Sequence, residues 1–297
     1  MNIIKFKLIF FLITLVISLS LNAQIRDFET TRLQSTSGAG VASILVNEAS
    51  VLNPAPIVFI PVSAFYYQRG SSTLDSKSQD RTKNFSNGSD QMYLLSDSSG
   101  QIKGTFSYQE KAENQFNRKR YTSSLASNSG KKTAFGILYR YTIDEDSILN
   151  EEKEFHQGVF GFTHIYSPEI TLGGVVIDTF LSNKQDARVI LGFQYQLTSN
   201  FHLIVDGGTN FNDDSRENTL SRGALQVNFF KDLFLRTGKF HDNAANLKGS
   251  SWGVSWIGPR ISFEYAYKTS EVIQDKTEYL LKGEQIIESS LSLAIVF

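Results

Sequence analysis

Cysteine is absent from the 297 residues, which excludes a disulfide framework, a thiolate metal site and a cysteine nucleophile. Histidine (4), proline (5) and methionine (2) are scarce. The 29 basic residues are matched by 30 acidic ones, for a net charge of -1, so the basic surplus that nucleic-acid binding calls for is missing and no such partner is expected. Beyond the first segment, no apolar run approaches the roughly 20 residues that a membrane-crossing helix needs. If the rest of the chain enters a membrane, it must therefore do so as strands.

Phenylalanine (23) and tyrosine (12) are plentiful, and turn residues recur at short intervals, a pattern that favours many strands over packed helices. The mean hydropathy of -0.19 suits a barrel with one lipid face and one wet face. At the start, Lys5 and Lys7 precede an apolar stretch from Leu8 to Leu21, and Leu21-Asn22-Ala23 offers a cleavage point before Gln24. Residues 1–23 read as a secretory signal peptide, since the stretch is too short for a single membrane anchor. No cysteine follows the cleavage point, so a lipoprotein anchor is excluded.

Period-two alternation is clearest in the last strand, where Ile287, Leu291, Leu293, Ile295 and Phe297 share one face and Glu288, Ser290, Ser292 and Ala294 the other. Val189 to Leu197 and Phe135 to Tyr141 repeat the pattern, and Trp252, Trp256, Tyr265 and Tyr267 suit interfacial girdles. The alternation predicts about fourteen strands, near 58–69, 90–98, 102–110, 119–127, 132–143, 155–166, 169–181, 187–197, 200–211, 221–230, 233–240, 250–257, 260–270 and 286–297. Short turns at 97–100, 127–130, 167–169, 198–200, 231–232 and 258–259 alternate with mostly longer polar connections at 70–89, 111–118, 144–154, 182–186, 212–220, 241–249 and 271–285. That asymmetry fits an all-β, antiparallel transmembrane barrel spanning 58–297, with both mature termini periplasmic and the longer loops outside. A soluble periplasmic β protein is the competing fold.

Between the signal and the barrel, residues 24–57 are too small and broken to form a membrane strand. Arg32 leads into Ser37-Gly38-Ala39-Gly40-Val41-Ala42, then Glu48-Ala49-Ser50, then Asn53-Pro54-Ala55. This order resembles the N-terminal hatch of the FadL family of outer-membrane transporters and its PorV-like relatives. The resemblance implies a fourteen-stranded barrel with a lumenal hatch, and it makes Gly38, Gly40, Asn53, Pro54 and Ala55 the gating candidates. Asn-Pro is also a common turn starter, so a moving gate and a fixed plug both stand at this point. A C-terminal strand that ends on an aromatic resembles the assembly signal of bacterial outer-membrane barrels, which assigns that role to Phe297. The chain departs from the better-known transporters in being shorter, with small hydrophilic outward loops, which loosens the link to fatty acids. In that family a kinked strand provides a lateral exit; Gly104 is the candidate here, with an ordinary strand glycine as the alternative.

Chemistry is weakly signalled. Barrel lipid hydrolases place His and Ser two apart on one strand, and none of His156, His164, His202 and His241 has Ser two residues later. Arg140, Asp178, His202, Asp206 and Glu264 should face the lumen, since a charge facing lipid at the midplane costs roughly 2–4 kcal/mol for Arg and less for the acids. They either pair to stabilise the barrel or meet a substrate. The acidic runs Asp144-Glu145-Asp146, Glu151-Glu152 and Asp213-Asp214 lack calcium-loop spacing and read as solvated loops. The sequence thus points to a non-enzymatic outer-membrane barrel that takes up small hydrophobic or amphipathic compounds, without a cofactor. A scaffold or shuttle for secreted proteins, as in the PorV-like branch, is the alternative, and an outer-membrane lipid hydrolase the more distant one. Expected partners are outer-membrane lipid, the barrel assembly machinery, and either a small hydrophobic ligand or a secreted protein. The topology predicts that an epitope tag inserted beside Asp146 is reached by antibody on intact cells and one beside Ser129 is not; the reverse labelling would invert the assignment.

Overall fold

The computed structural model describes residues 27–44, 51–75, 88–113, 116–148, 150–183, 186–211, 218–274 and 282–297. The signal-peptide assignment, Glu48-Ala49-Ser50 and Asp213-Asp214 lie outside these residues. Fourteen strands close into one antiparallel barrel: β1 (Ala64–Asp75), β2 (Gly88–Asp97), β3 (Lys103–Glu113), β4 (Phe116–Asn128), β5 (Thr133–Asp146), β6 (Glu151–Ile165) and β7 (Ile170–Ile177). They continue as β8 (Arg188–Thr198), β9 (Phe201–Asn210), β10 (Thr219–Phe230), β11 (Leu233–Asp242), β12 (Leu247–Ile257), β13 (Ile261–Val272) and β14 (Gln285–Val296). Each strand pairs with its neighbours in sequence, and β1 meets β14 in a register running from Ala64 opposite Val296 to Asp75 opposite Gln285. Closure leaves no sheet edge unpaired.

Alternating faces follow from the two-residue strand period. In β5, Phe135 and Ile137 are exposed on the outer wall while Gly136, Leu138 and Arg140 are buried inside. The outer wall carries an apolar band that includes Leu95, Phe106, Leu125, Leu191 and Leu291. Apolar side chains spread this widely over a surface suit hydrocarbon rather than water. Tyr67, Tyr93, Tyr108, Tyr121, Tyr141 and His156 are direct cross-strand partners on β1 to β6. Ring centroids are 5.1 Å apart for Tyr67 and Tyr93, 5.2 Å for Tyr108 and Tyr121, and 4.9 Å for Tyr141 and His156. Because barrel strands tilt, this ladder climbs from near the rim that carries the C-terminus toward the opposite rim.

Three sequence expectations change. The apolar run at 58–69 does not begin the first strand: residues 55–59 form a 3-10 helix, and β1 starts only at Ala64. Pro61 has no amide hydrogen for the ladder, so the strand begins beyond it and Ile57 packs on Ala126 inside the lumen. The segments expected to loop at 111–118, 144–154 and 241–249 are largely strand, with β3 reaching Glu113 and β4 starting at Phe116. Lys119 and Glu145, 2.7 Å apart, help hold this extension together. Such pairs carry no apolar alternation, since both faces are wet beyond the membrane. The seventh strand ends at Ile177 rather than near 181, because Asp178 turns the chain with φ 52°.

A charge placed on the outer wall should be costly. Leu191→Arg is expected to reduce stability in lipid vesicles by about 2–4 kcal/mol if that position lies at the bilayer midplane, read as a shift of the urea unfolding midpoint. The same change at inward-facing Gln196 should cost much less.

Candidate functional site

The chain preceding β1 supplies a plug inside the barrel. Thr30 caps a short helix, α1 (Thr31–Ser35), its hydroxyl accepting from the Leu33 amide at 3.2 Å. The helix ends through Ser37 and Gly38, whose φ of 82° lets the Gly38 amide return to the Leu33 carbonyl at 2.6 Å. All five helix residues are buried, polar ones included. Their polar groups must therefore find partners on the barrel wall.

These partners come from around the lumen. The Thr31 amide donates to Gln68 Oε1 at 2.7 Å, and Arg32 Nη2 donates to Gln226 Oε1 at 3.1 Å. Lys268 Nζ meets Glu29 Oε2 at 2.7 Å, and the Ser37 and Ser251 hydroxyls lie 2.8 Å apart. Arg222 donates to the Gly38 carbonyl at 3.0 Å. Asp206 Oδ2 accepts two successive amides, Gly40 at 2.8 Å and Val41 at 3.2 Å. Such a pair of N–H groups makes a small anion cradle, occupied here by a side chain of the wall.

Asn53 ties the Gly-Ala-Gly and Asn-Pro-Ala segments together. Its amide nitrogen donates to the Val41 carbonyl at 2.7 Å and, on β6, to the Phe162 carbonyl and Thr163 hydroxyl, both at 3.1 Å. Its oxygen accepts from the Ala55 amide at 3.1 Å, closing a tight turn around Pro54. Arg140 donates to the Val51 carbonyl. The wall admits this segment because glycine stands where it passes: a Cβ at Gly136 would lie 2.8 Å from the Ala55 nitrogen, at Gly161 2.2 Å from Asn53 Oδ1, and at Gly173 2.4 Å from the Val41 carbonyl oxygen. Gly238 and Gly253 give the same clearance to Thr36 and Ser35. Apolar contacts complete the seal, with Phe28, Leu33, Val41, Val51 and Leu52 in one buried cluster with Leu138, Val159, Val175 and Ile190 of the wall.

Charge fixes the start of the described hatch. The Asp27 carboxylate pairs with Arg120, whose guanidinium also lies over the Phe28 ring at 5.2 Å. Arg120, Arg140 and Arg118 hold the Asp27 carboxyl well below the usual carboxylate range. Next in line on the same face of β4, Arg118 makes two 2.6 Å hydrogen bonds to Asp144. Arg188 and Asp242 form a further pair at 2.6 Å.

The structure thus brings Gly38, Gly40, Asn53, Pro54, Ala55, Arg140 and Asp206 into one hatch and wall assembly. Glu264 faces the lumen, buried, 3.7 Å from Arg236. His202 lies on the same inward face as Asp206, and its Nδ1 has no hydrogen-bond partner among the described residues. Asp178 stands apart: its carboxylate accepts the Ser182 and Asn183 amides at 3.1 and 2.6 Å and so caps the turn after β7. Gly104 lies in a strand paired on both sides without a register shift. Phe297 closes β14, its amide donating to the Ser63 carbonyl at 3.0 Å. Of the acidic run, Asp144 and Glu145 pair with Arg118 and Lys119. Sequence reasoning missed Asp27, Gln68, Arg120 and Arg222. Glycine at inward positions such as Gly136 and Gly161 was the available signal for a close-fitting segment.

No protein-family model matches the sequence, and no curated protein matches it either. Solved structures do share the fold. The CymD monoaromatic hydrocarbon channel superposes with a TM-score of 0.68 at 11% identity, covering 90% of this chain and 97% of that one. The Ralstonia pickettii toluene transporter TbuX gives 0.66 at 10% identity, with 91% and 98% covered. A Pseudomonas aeruginosa FadL homologue gives 0.58 at 10% identity, with 92% and 99% covered. The chain therefore shares the overall fold of these proteins.

The close fit makes the wall glycines a sensitive test of hatch docking. Gly161→Leu or Gly173→Val should expel the hatch while the barrel still closes, seen as rapid proteolysis near residues 36–44 with unchanged heat-modified gel mobility. Asp206→Ala should loosen the same segment by about 1.5–3 kcal/mol, the usual worth of hydrogen bonds to a charged group.

Proposed function

We propose that this protein is an outer-membrane channel for passive uptake of small hydrophobic or amphipathic compounds, with the lumenal segments 27–44 and 51–60 in its gate. The observation that carries this reading is the composition of the seal. A static filler could be packed by apolar side chains alone, whereas this segment adds to its apolar cluster a set of hydrogen bonds and ion pairs to the wall, around Asn53, Asp206 and Arg120. Each of these can be exchanged for water or ligand without leaving a bare charge in a dry core. The shared fold with hydrocarbon channels supports the same reading.

In this reading both mature termini lie in the periplasm, the rim carrying the charged hairpins of β3 to β6 faces outward, and lipid contacts the aromatic ladder. Asn53 is the hinge of the gate, because it bonds both to the Gly-Ala-Gly segment and to β6. Phe297 acts in assembly through the barrel machinery. Asn53→Ala is expected to change the rate of toluene entry into vesicles reconstituted with the protein by about tenfold, the effect of some 1.4 kcal/mol, with barrel assembly intact. Entry no faster than into protein-free vesicles, for the wild type and the variant alike, would exclude the channel. A secreted protein co-purifying at fixed stoichiometry in that case would establish the scaffold role instead.

A further inference from the structure

The apolar outer wall differs in depth around the barrel. On β5 the outward positions Phe135, Ile137, Tyr139, Tyr141 and Ile143 run apolar without a break, as do Val189, Leu191, Phe193, Tyr195 and Leu197 on β8. On β1, β2 and β3 only two such residues precede a polar one: Phe65 and Tyr67 before Arg69, Leu95 and Tyr93 before Gln91, Phe106 and Tyr108 before Glu110. At about 3.4 Å per residue and a strand tilt of about 40°, Arg69, Gln91 and Glu110 stand roughly 13 to 18 Å above the short-turn rim, inside an apolar band about 25 Å tall.

The three are direct cross-strand neighbours, Arg69 opposite Gln91 and Gln91 opposite Glu110. Gln91 Nε2 and the Tyr108 hydroxyl donate to Glu110 Oε2 at 2.9 and 3.2 Å, and Asn117 reaches its Oε1 at 3.5 Å. Among the described residues, however, neither Arg69 nor Glu110 has an ion-pair partner: Lys119, opposite Glu110, lies 2.7 Å from Glu145 instead. Two strand spacings, about 10 Å, keep Arg69 and Glu110 of one chain apart. The next row outward is small, with Ser71 opposite Ser89 and Ser89 opposite Ala112.

Charges facing lipid at this depth are costly. A lipid phosphate would satisfy Arg69 and repel Glu110, and a bound cation would do the reverse. A surface carrying both charges two strands apart answers both, and a second copy of this chain is such a surface. We propose that the protein forms a homodimer through the outer face of β1 to β3, about a two-fold axis normal to the membrane that passes beside Gln91. The axis exchanges β1 with β3, so Arg69 of each protomer meets the partner's Glu110. Strand tilt raises Glu110 over Arg69 by about 6 Å, a step that an extended arginine side chain spans. The small row lets the two walls close above this pair. Tyr67, Tyr93 and Tyr108 pack below it, and lipid keeps Tyr121, Tyr141 and His156 of the ladder.

The inference concerns the outer wall alone and does not rest on the channel reading. The absence of cysteine makes its test direct. Gln91→Cys in the full-length chain, oxidised in isolated outer membranes, is expected to give a disulfide-linked dimer as the main product, while Leu191→Cys on the far wall stays monomeric. In the Gln91→Cys background, Arg69→Glu or Glu110→Arg should each lower the cross-linked yield at least about fivefold, because like charges then meet twice across the axis. The double exchange should restore it. Heat-modified gel mobility reports whether each barrel is closed. Where a reversal does not assemble, Arg69→Gln is read in its place, with an expected loss of about threefold. A Gln91→Cys yield no higher than that of Leu191→Cys, or a double exchange no better than the single changes, overturns the proposal. Lipopolysaccharide that co-purifies with a monomer and is lost in Arg69→Glu overturns it as well, and assigns Arg69 to a lipid phosphate.

Discussion

A backbone amide in hydrocarbon has no water to bond, and that constraint organises the rest of this molecule. It forces the strands to pair all round, β1 with β14 included, and so produces a closed wall rather than a sandwich. With fourteen strands, the diameter of that wall exceeds what inward side chains can fill. The unfilled lumen is the origin of the hatch: a segment of mixed polar and apolar side chains is held inside the wall, where its amides and carbonyls still need partners.

Those partners explain the composition of the wall. Arginines and carboxylates that would be costly on the lipid face are gathered inside, where they pair with each other or with the hatch. Glycine takes the inward positions where hatch backbone passes, and small hydroxyl residues such as Ser251 and Ser290 accompany it. The same close approach that seals the lumen keeps part of the seal polar, and a polar seal is one that solvent can open. Structure and proposed activity are linked at this point: gating requires a plug that is well satisfied when docked and not ruinously unsatisfied when released.

The outer wall answers to a different solvent. Its aromatic ladder places amphipathic rings along an ascending path, and beyond it the hairpins continue as charged strands such as those carrying Lys119 and Glu145. The extension was read as loop because its faces are both wet, and the period-two signal needs one dry face to be visible. The run at 58–69 misled in the opposite sense: Ile57 and Val58 are apolar because they face the lumen cluster at Ala126, not lipid.

The sequence by itself determined the wall. Alternation over strands of about ten residues, polar turns between them and the lack of any later helical span sufficed to place fourteen strands and the facing of Arg140, Asp206 and Glu264, because the pleat fixes side-chain direction locally. The Gly-Ala-Gly and Asn-Pro-Ala motifs drew attention to the segment before the barrel only through a resemblance. Only the tertiary structure decided what the hatch touches: that Asp206 cradles Gly40 and Val41, that Asn53 bridges Val41 to β6, and that Asp27 pairs with Arg120. These contacts join residues as many as 166 positions apart, and they depend on how far around the barrel each strand stands and on the stagger between strands. Both are properties of closure, and no local pattern in the chain encodes them.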